Sequence, residues 1–189
     1  MAITDINPPA LLDEPVTLDY AKVFLRVDND DEDALIADLI RAARERVEGL
    51  INSALMARAR RFTTSKLKTK GVFINSGNIT EITAMRLLSD DAVTEISLSS
   101  LTINLRCQPP VVTARDRASF QSYAPQASAL EIDFIAGYGA DEGDIPMPLR
   151  QAVLLLLAQS YEYRGSCEAP PTVPMMVDAL LMPYRGMRI

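Results

Sequence analysis

Apolar residues recur at three- and four-residue intervals near both ends of the chain and alternate in its middle. In "VTLDYAKVFLRV" the positions Leu18, Ala21 and Leu25, with Phe24 beside them, predict a short amphipathic helix capped by Thr17. In "DNDDEDALIADLIRAARERVEGLIN" the residues Leu35, Ile36, Leu39, Ile40, Ala43, Val47, Leu50 and Ile51 form one stripe. They predict the best-defined helix, over 31–51. Acids crowd its start and arginines lie further along, the order the helix dipole favours, while Gly49 weakens its last turn. From about Met56 the period falls toward two. "RFTTSKLKTK", "TEITAMRLLS", "EISLSSLTINLRC", "PPVVTARD" and "ALEIDFIAGYG" are short, rich in Val, Ile, Thr and Phe, and separated by the turn formers NSGN, SDDA and QPP. They predict a small antiparallel sheet. A helix returns at about Pro148 and runs to Gly165, which is placed as a C′ glycine. "MMVDALLM" adds a short helix before the tail PYRGMRI.

This order predicts an α+β protein, mainly α. Apolar faces at opposite ends of the chain must cover each other, so helix 31–51 is expected to pack against helix 148–164. The expected single domain, 16–182, has a helical core from 16–55 and 146–182 and a β-rich insertion at 56–138. Residues 1–15 read as a flexible acidic arm, and 183–189 as an extended C-terminal tail. The apolar run Ala152 to Ala158 leaves its helix no polar face. Such a helix is either buried in its own fold or packed on neighbours.

With 189 residues, 48% of them hydrophobic, and a mean hydropathy of +0.06, the chain can bury a sizeable core. Its longest apolar run falls far short of the roughly 20 residues a membrane span needs. The start lacks the basic and apolar regions of a signal peptide, so the expectation is a protein made and kept in the cytoplasm, away from membranes. Histidine is absent, which removes histidine general bases, Ser–His and Cys–His nucleophile pairs and histidine metal sites. Cys107 and Cys167 form no CxxC, so neither a zinc cluster nor a disulfide scaffold is expected. The net charge of −6 is uneven: residues 1–57 hold twelve acids and five bases, whereas 58–71 hold six bases and no acid.

Three clusters could carry chemistry. "DNDDED" (Asp28 to Asp33) matches the first ligand positions of a calcium loop, but Asp33 stands where the glycine belongs and Leu39 where the last glutamate belongs. Helix capping and dipole compensation explain it without a metal. DEGD (Asp141, Glu142, Gly143, Asp144) offers paired carboxylates for a metal-assisted hydrolase. Set in a glycine turn ahead of Pro146 and Pro148, it reads better as a turn and helix start. GYG (Gly137 to Gly139) is too short for a phosphate loop and marks a sharp exit from a strand. The basic strip Arg58, Arg60, Arg61, Lys66, Lys68 and Lys70 could contact nucleic acid or an acidic partner. It could equally be an edge strand protected by its charges. In "MPYRGMRI" apolar anchors alternate with arginines, a mixture favoured at interfaces.

"LDYAKVFLRVDNDDEDALIADLIRAARERVEGLIN", "IDFIAGYGADEGDIPMPLRQAVLLLLAQSYEYRG" and "VPMMVDALLMPYRGMRI", in this order and spacing, resemble the head–tail connector (adaptor) proteins of long-tailed bacteriophages and phage-derived gene transfer agents. The resemblance implies a structural virion protein at the head–tail interface, assembled in the bacterial cytoplasm, without catalytic residues, metal or cofactor. It implies self-association into a ring matching the twelvefold portal protein, extending the DNA channel and meeting a tail-side connector or stopper protein. DNA would pass through the lumen without sequence-specific binding. The portal-docking role would fall on Pro183, Tyr184, Arg185, Met187, Arg188 and Ile189. The basic strip is odd for a channel lining and is expected on an outer or inter-subunit face. The alternative is a small nucleic-acid-binding protein that uses the strip.

Overall fold

Each predicted helix forms, and local caps set both ends of the first and the C-terminal end of the second. The computed structural model describes residues 2–6, 14–90, 92–107, 109–116, 118–164 and 173–185. These fall into a helical unit, drawn from 14–56 and 138–185, and a strand-rich unit, drawn from 2–6 and 57–137.

In the helical unit, α1 (Leu18–Leu25) starts where the Thr17 hydroxyl oxygen accepts the Tyr20 amide at 3.3 Å. It stops at Arg26, which takes a left-handed φ of 61°. Thr17→Ala is expected to lower stability by about 0.5–1 kcal/mol, read as a shift in the urea midpoint. α2 (Asp33–Ile51) buries Ile36, Ile40, Ala43, Val47 and Ile51, one stripe of the expected helix, and ends at left-handed Asn52, φ 55°. α3 (Met147–Glu162) admits Pro148 in its first turn, where a missing N–H costs nothing. α4 (Met175–Leu181) runs into a 3-10 turn at Met182–Tyr184. Gly165, expected to close α3, lies outside the described residues.

α3 resolves the question raised by its over-apolar run. Leu149, Ala152, Val153, Leu154, Leu156 and Leu157 are all buried, and α1, α2 and α4 all pack on this helix. It is enclosed within the chain's own helical unit. The core there combines Val16, Ala21 and the α2 stripe with these residues and with Val177 and Leu181 of α4.

The strand-rich unit contains, among the described residues, β1 (Ala2–Asp5), β2 (Arg58–Thr64), β3 (Gly71–Phe73), β4 (Ile79–Leu88), β5 (Val93–Glu95), β6 (Leu101–Asn104), β7 (Val111–Ala114) and β8 (Ala129–Ala136). Five form one antiparallel sheet in the order β1-β2-β8-β4-β5, and three form a second, β3-β7-β6. Strand alternation sorts side chains by face. In β8, Leu130, Ile132, Phe134 and Ala136 are buried on one face, while Glu131 and Asp133 project from the other. Phe62 of β2 and Met85 of β4 flank Ile132 in register and are also buried.

The expectation of a mainly α protein is therefore corrected. About 37% of the described residues are helical and 28% are in strands, arranged as two antiparallel sheets. The strands were underestimated for physical reasons. β3 and β5 have three residues each, too few to display a period. β1 lies in the segment read as a flexible arm, where it pairs with β2 from Ala2↔Thr63 to Asp5↔Arg60.

Two glycines are needed where β8 gives way to the helices. Gly137 has φ 137°, outside the range ordinary side chains adopt. At Gly139 a Cβ would stand 2.0 Å from the Asp144 carboxylate. The GYG sequence is thus a conformational joint.

Candidate interaction surfaces

Alternation along β2 sends Arg58 and Arg60 to the face of Phe62, and Arg61 to the other. Asp5 of β1 takes both of the former, at 3.1 Å from Arg58 Nε and 2.9 Å from Arg60 Nε. Arg61 donates two hydrogen bonds to Asp133, at 2.7 and 3.0 Å, and lies 3.4 Å from Glu131. Arg86 of β4 adds a third donor to Asp133 at 2.6 Å. Burial works to raise the Asp133 carboxyl, but the bonds from Arg61 and Arg86 outweigh it and hold it below its ordinary value.

The three arginines are thus engaged by acids of neighbouring strands. β2 lies between β1 and β8, so it is not the edge strand considered from sequence. Lys66, Lys68 and Lys70 follow β2 in a loop and are exposed. The strip therefore separates into three paired arginines and three solvated lysines. A continuous phosphate-binding track of six cations is not formed, and the nucleic-acid alternative finds no support.

The Asp28–Asp33 cluster does more than compensate a dipole. Glu32 stands at the N-cap of α2 but makes no side-chain capping bond. It accepts from the Tyr161 hydroxyl instead, and from Arg164 at 2.8 Å. Those partners hold its carboxyl below the usual range. Asp30 and Asp33 receive Lys22 of α1 at 2.5 and 2.7 Å. The acids tie α1 and the end of α3 to the start of α2. Among the described residues, no group of three or more potential ligands is placed to hold a metal.

DEGD forms a 3-10 turn at Glu142–Asp144, closed by a reciprocal capping box between Asp141 and Asp144. Glu142 pairs with Arg150 at 3.2 Å, and Arg150 Nε also donates to the Pro15 carbonyl at 3.1 Å. These carboxylates are committed to joining the start of α3 to the residues before α1. Among the described residues of the strand-rich unit lie surface clefts of about 450 and 440 Å³. One includes Asp90 and Tyr123 and the other Lys70 and Arg115. None of those ionisable groups is buried.

Of the tail residues expected to dock, Pro183, Tyr184 and Arg185 are described, whereas Met187, Arg188 and Ile189 lie outside the described residues. Tyr184 packs against the helical core. Pro183 and Arg185 are exposed, and Arg185 is held by Asp178 at 2.6 Å. Cys107 is an exposed free thiol, and Cys167 lies outside the described residues.

Sequence reasoning missed two exposed apolar faces. Tyr20, Val23 and Phe24 cover the outside of α1, and Met175, Met176 and Met182 the outside of α4 and its turn. The signal was present in α1, whose apolar residues occupy both faces of an eight-residue helix.

The model of the head completion protein family matches residues 15–186. No curated protein matches the chain. Among solved structures, it is similar to a chain in the neck of an empty gene transfer agent particle computed with C6 symmetry. That match has a TM-score of 0.83 and 26% identity, and covers 100% of this chain and 97% of the other. A chain in the neck of a native particle computed with C12 symmetry gives 0.78 and 26%, with the same coverage. A chain in the virion of a native particle gives 0.82 at 24% identity, again with the same coverage, and shares the fold. The chain therefore belongs to the head completion protein family, among the phage and gene transfer agent head–tail connectors that its sequence resembles.

Proposed function

We propose that this chain is a non-enzymatic connector that sits as a ring between the portal and the tail, extending the channel through which DNA passes. The observation that carries this reading is the likeness, over the whole chain, to subunits in necks computed with cyclic symmetry. A ring of twelve copies would match the C12 neck. The portal protein would lie on one side and a tail-side connector or stopper on the other. Such a protein works by buried interfaces rather than by chemistry. The commitment of Asp141, Glu142 and Asp144 to a capping box and an arginine pair agrees with that.

The residues proposed to dock on the portal are Pro183, Tyr184, Arg185, Met187, Arg188 and Ile189. Tyr184 anchors the root of the segment on the helical core, leaving the residues after it to reach a partner. Deleting 183–189 is expected to leave DNA-filled heads intact while reducing the number of tailed particles by about tenfold or more. The count is made by electron microscopy of purified particles. Normal numbers of tailed particles from the truncated chain would overturn the docking assignment.

A further inference from the structure

α1 and α4 each carry two apolar faces, and the fold uses one of each. α1 buries Ala21 and packs Leu18 and Leu25 against the helical core. Tyr20, Val23 and Phe24 nevertheless stay 45%, 74% and 37% exposed. α4 buries Val177 and Leu181, yet Met175, Met176 and Met182 are 88%, 62% and 67% exposed. A solvated helix face is ordinarily polar, and clustered apolar exposure marks a contact surface. Both helices rest on α2 and α3, so one helical unit displays both faces.

Building on the ring reading above, we infer that the methionine face of α4 in one copy seats on the Tyr20–Val23–Phe24 face of α1 in the next. A closed ring requires two different patches on each subunit, complementary to each other. A patch that pairs with itself gives a dimer. The two faces are chemically matched: thioether sulfur makes favourable contacts with aromatic rings, and the unbranched methionine chain adapts to them. The charges at their edges agree. Asp19 and Asp28 beside α1 have no ion-pair partner among the described residues. Beside α4, Asp178 is already held by Arg185, whose guanidinium has donors to spare. These six side chains would supply the apolar centre of an interface, which at ordinary size covers about 800 Å² per partner and draws on further residues.

Disulfide trapping in assembled particles tests the pairing. With Cys107 and Cys167 replaced by serine, Val23→Cys is combined in turn with Met175→Cys, Met176→Cys and Met182→Cys. At least one combination is expected to give an oxidation ladder reaching ring size, reversed by reductant, while each single-cysteine chain gives none. In parallel, Val23→Glu is expected to reduce ring-bearing necks about tenfold, with partial recovery when Met176→Lys is added. The inference is overturned, and the ring reading kept, if microscopy shows rings but no combination links. Self-linking of Val23→Cys alone, or normal assembly of Val23→Glu, has the same consequence. Wild-type necks without a ring of this chain would remove both.

Discussion

Asp133→Ala is expected to destabilise the chain by about 2–4 kcal/mol, the cost of removing one partner from a buried ion-pair cluster, discounted for partly exposed arginines. Asp133 is 5% exposed and receives Arg61 from one neighbouring strand and Arg86 from the other. Without it, two guanidiniums face each other across β8 with Glu131 at 3.4 Å from Arg61 and Glu95 at 3.6 Å from Arg86. Urea unfolding of the full chain measures the loss. Replacing Asp133, Arg61 and Arg86 together by apolar residues of similar size is expected to cost much less, because no charge is then left unpaired. The pH dependence has a defined sign. The folded Asp133 carboxyl is held below its ordinary value, so its contribution is complete above about pH 4 and is lost as pH falls through the folded pKa. In Asp133→Ala that part of the acid sensitivity disappears. A variant as stable as the parent at pH 7 would show that solvent already screens the cluster.

The same residues show how far the sequence could be read. Helix periodicity placed α1 and α2, and the α2 stripe is the one long enough to repeat along a buried face, whereas α3 was marked by its proline start and over-apolar run and α4 by a short apolar segment. The family was legible because those helices, the GYG joint and the turn before α3 occur in a recognisable order. The sheets were harder to read. A three-residue strand such as Val93–Glu95 carries no period, and Ala2–Asp5 is a strand only because β2 lies beside it. Pairing partners are long-range information. For the same reason Arg58, Arg60 and Arg61 looked like a free basic strip: their acids lie at Asp5 and Asp133, 55 and 72 positions away in the Arg60 and Arg61 pairs. The outward faces of α1 and α4 were hidden differently, since an apolar residue on a helix reads as core until packing shows which side is covered.

Arg44→Ala is expected to cost about 3–5 kcal/mol, with a pH dependence opposite to that at Asp133. Arg44 is 3% exposed in the middle of α2. Its Nε donates to Glu14 at 2.8 Å, and its Nη1 to Glu48 at 3.1 Å. Glu48 in turn accepts the Leu55 amide at 2.8 Å, so one guanidinium joins the segment before α1, the helix and the turn after it. Removing it leaves two carboxylates in a site with little water. Burial already raises the Glu14 carboxyl, and the Arg44 hydrogen bond is the largest influence opposing that rise. Without Arg44 the Glu14 pKa climbs further. A raised folded pKa contributes stability that is present below the unfolded value and lost as pH rises through the folded one. The deficit of Arg44→Ala is therefore expected to be largest near pH 7 and to shrink toward pH 5, where Glu14 can be buried neutral. Urea midpoints of parent and variant at the two pH values measure it. A constant or growing deficit on acidification would mean that Glu14 leaves the site once its partner is gone, and that Arg44 acts mainly through Glu48 and the turn at Leu55.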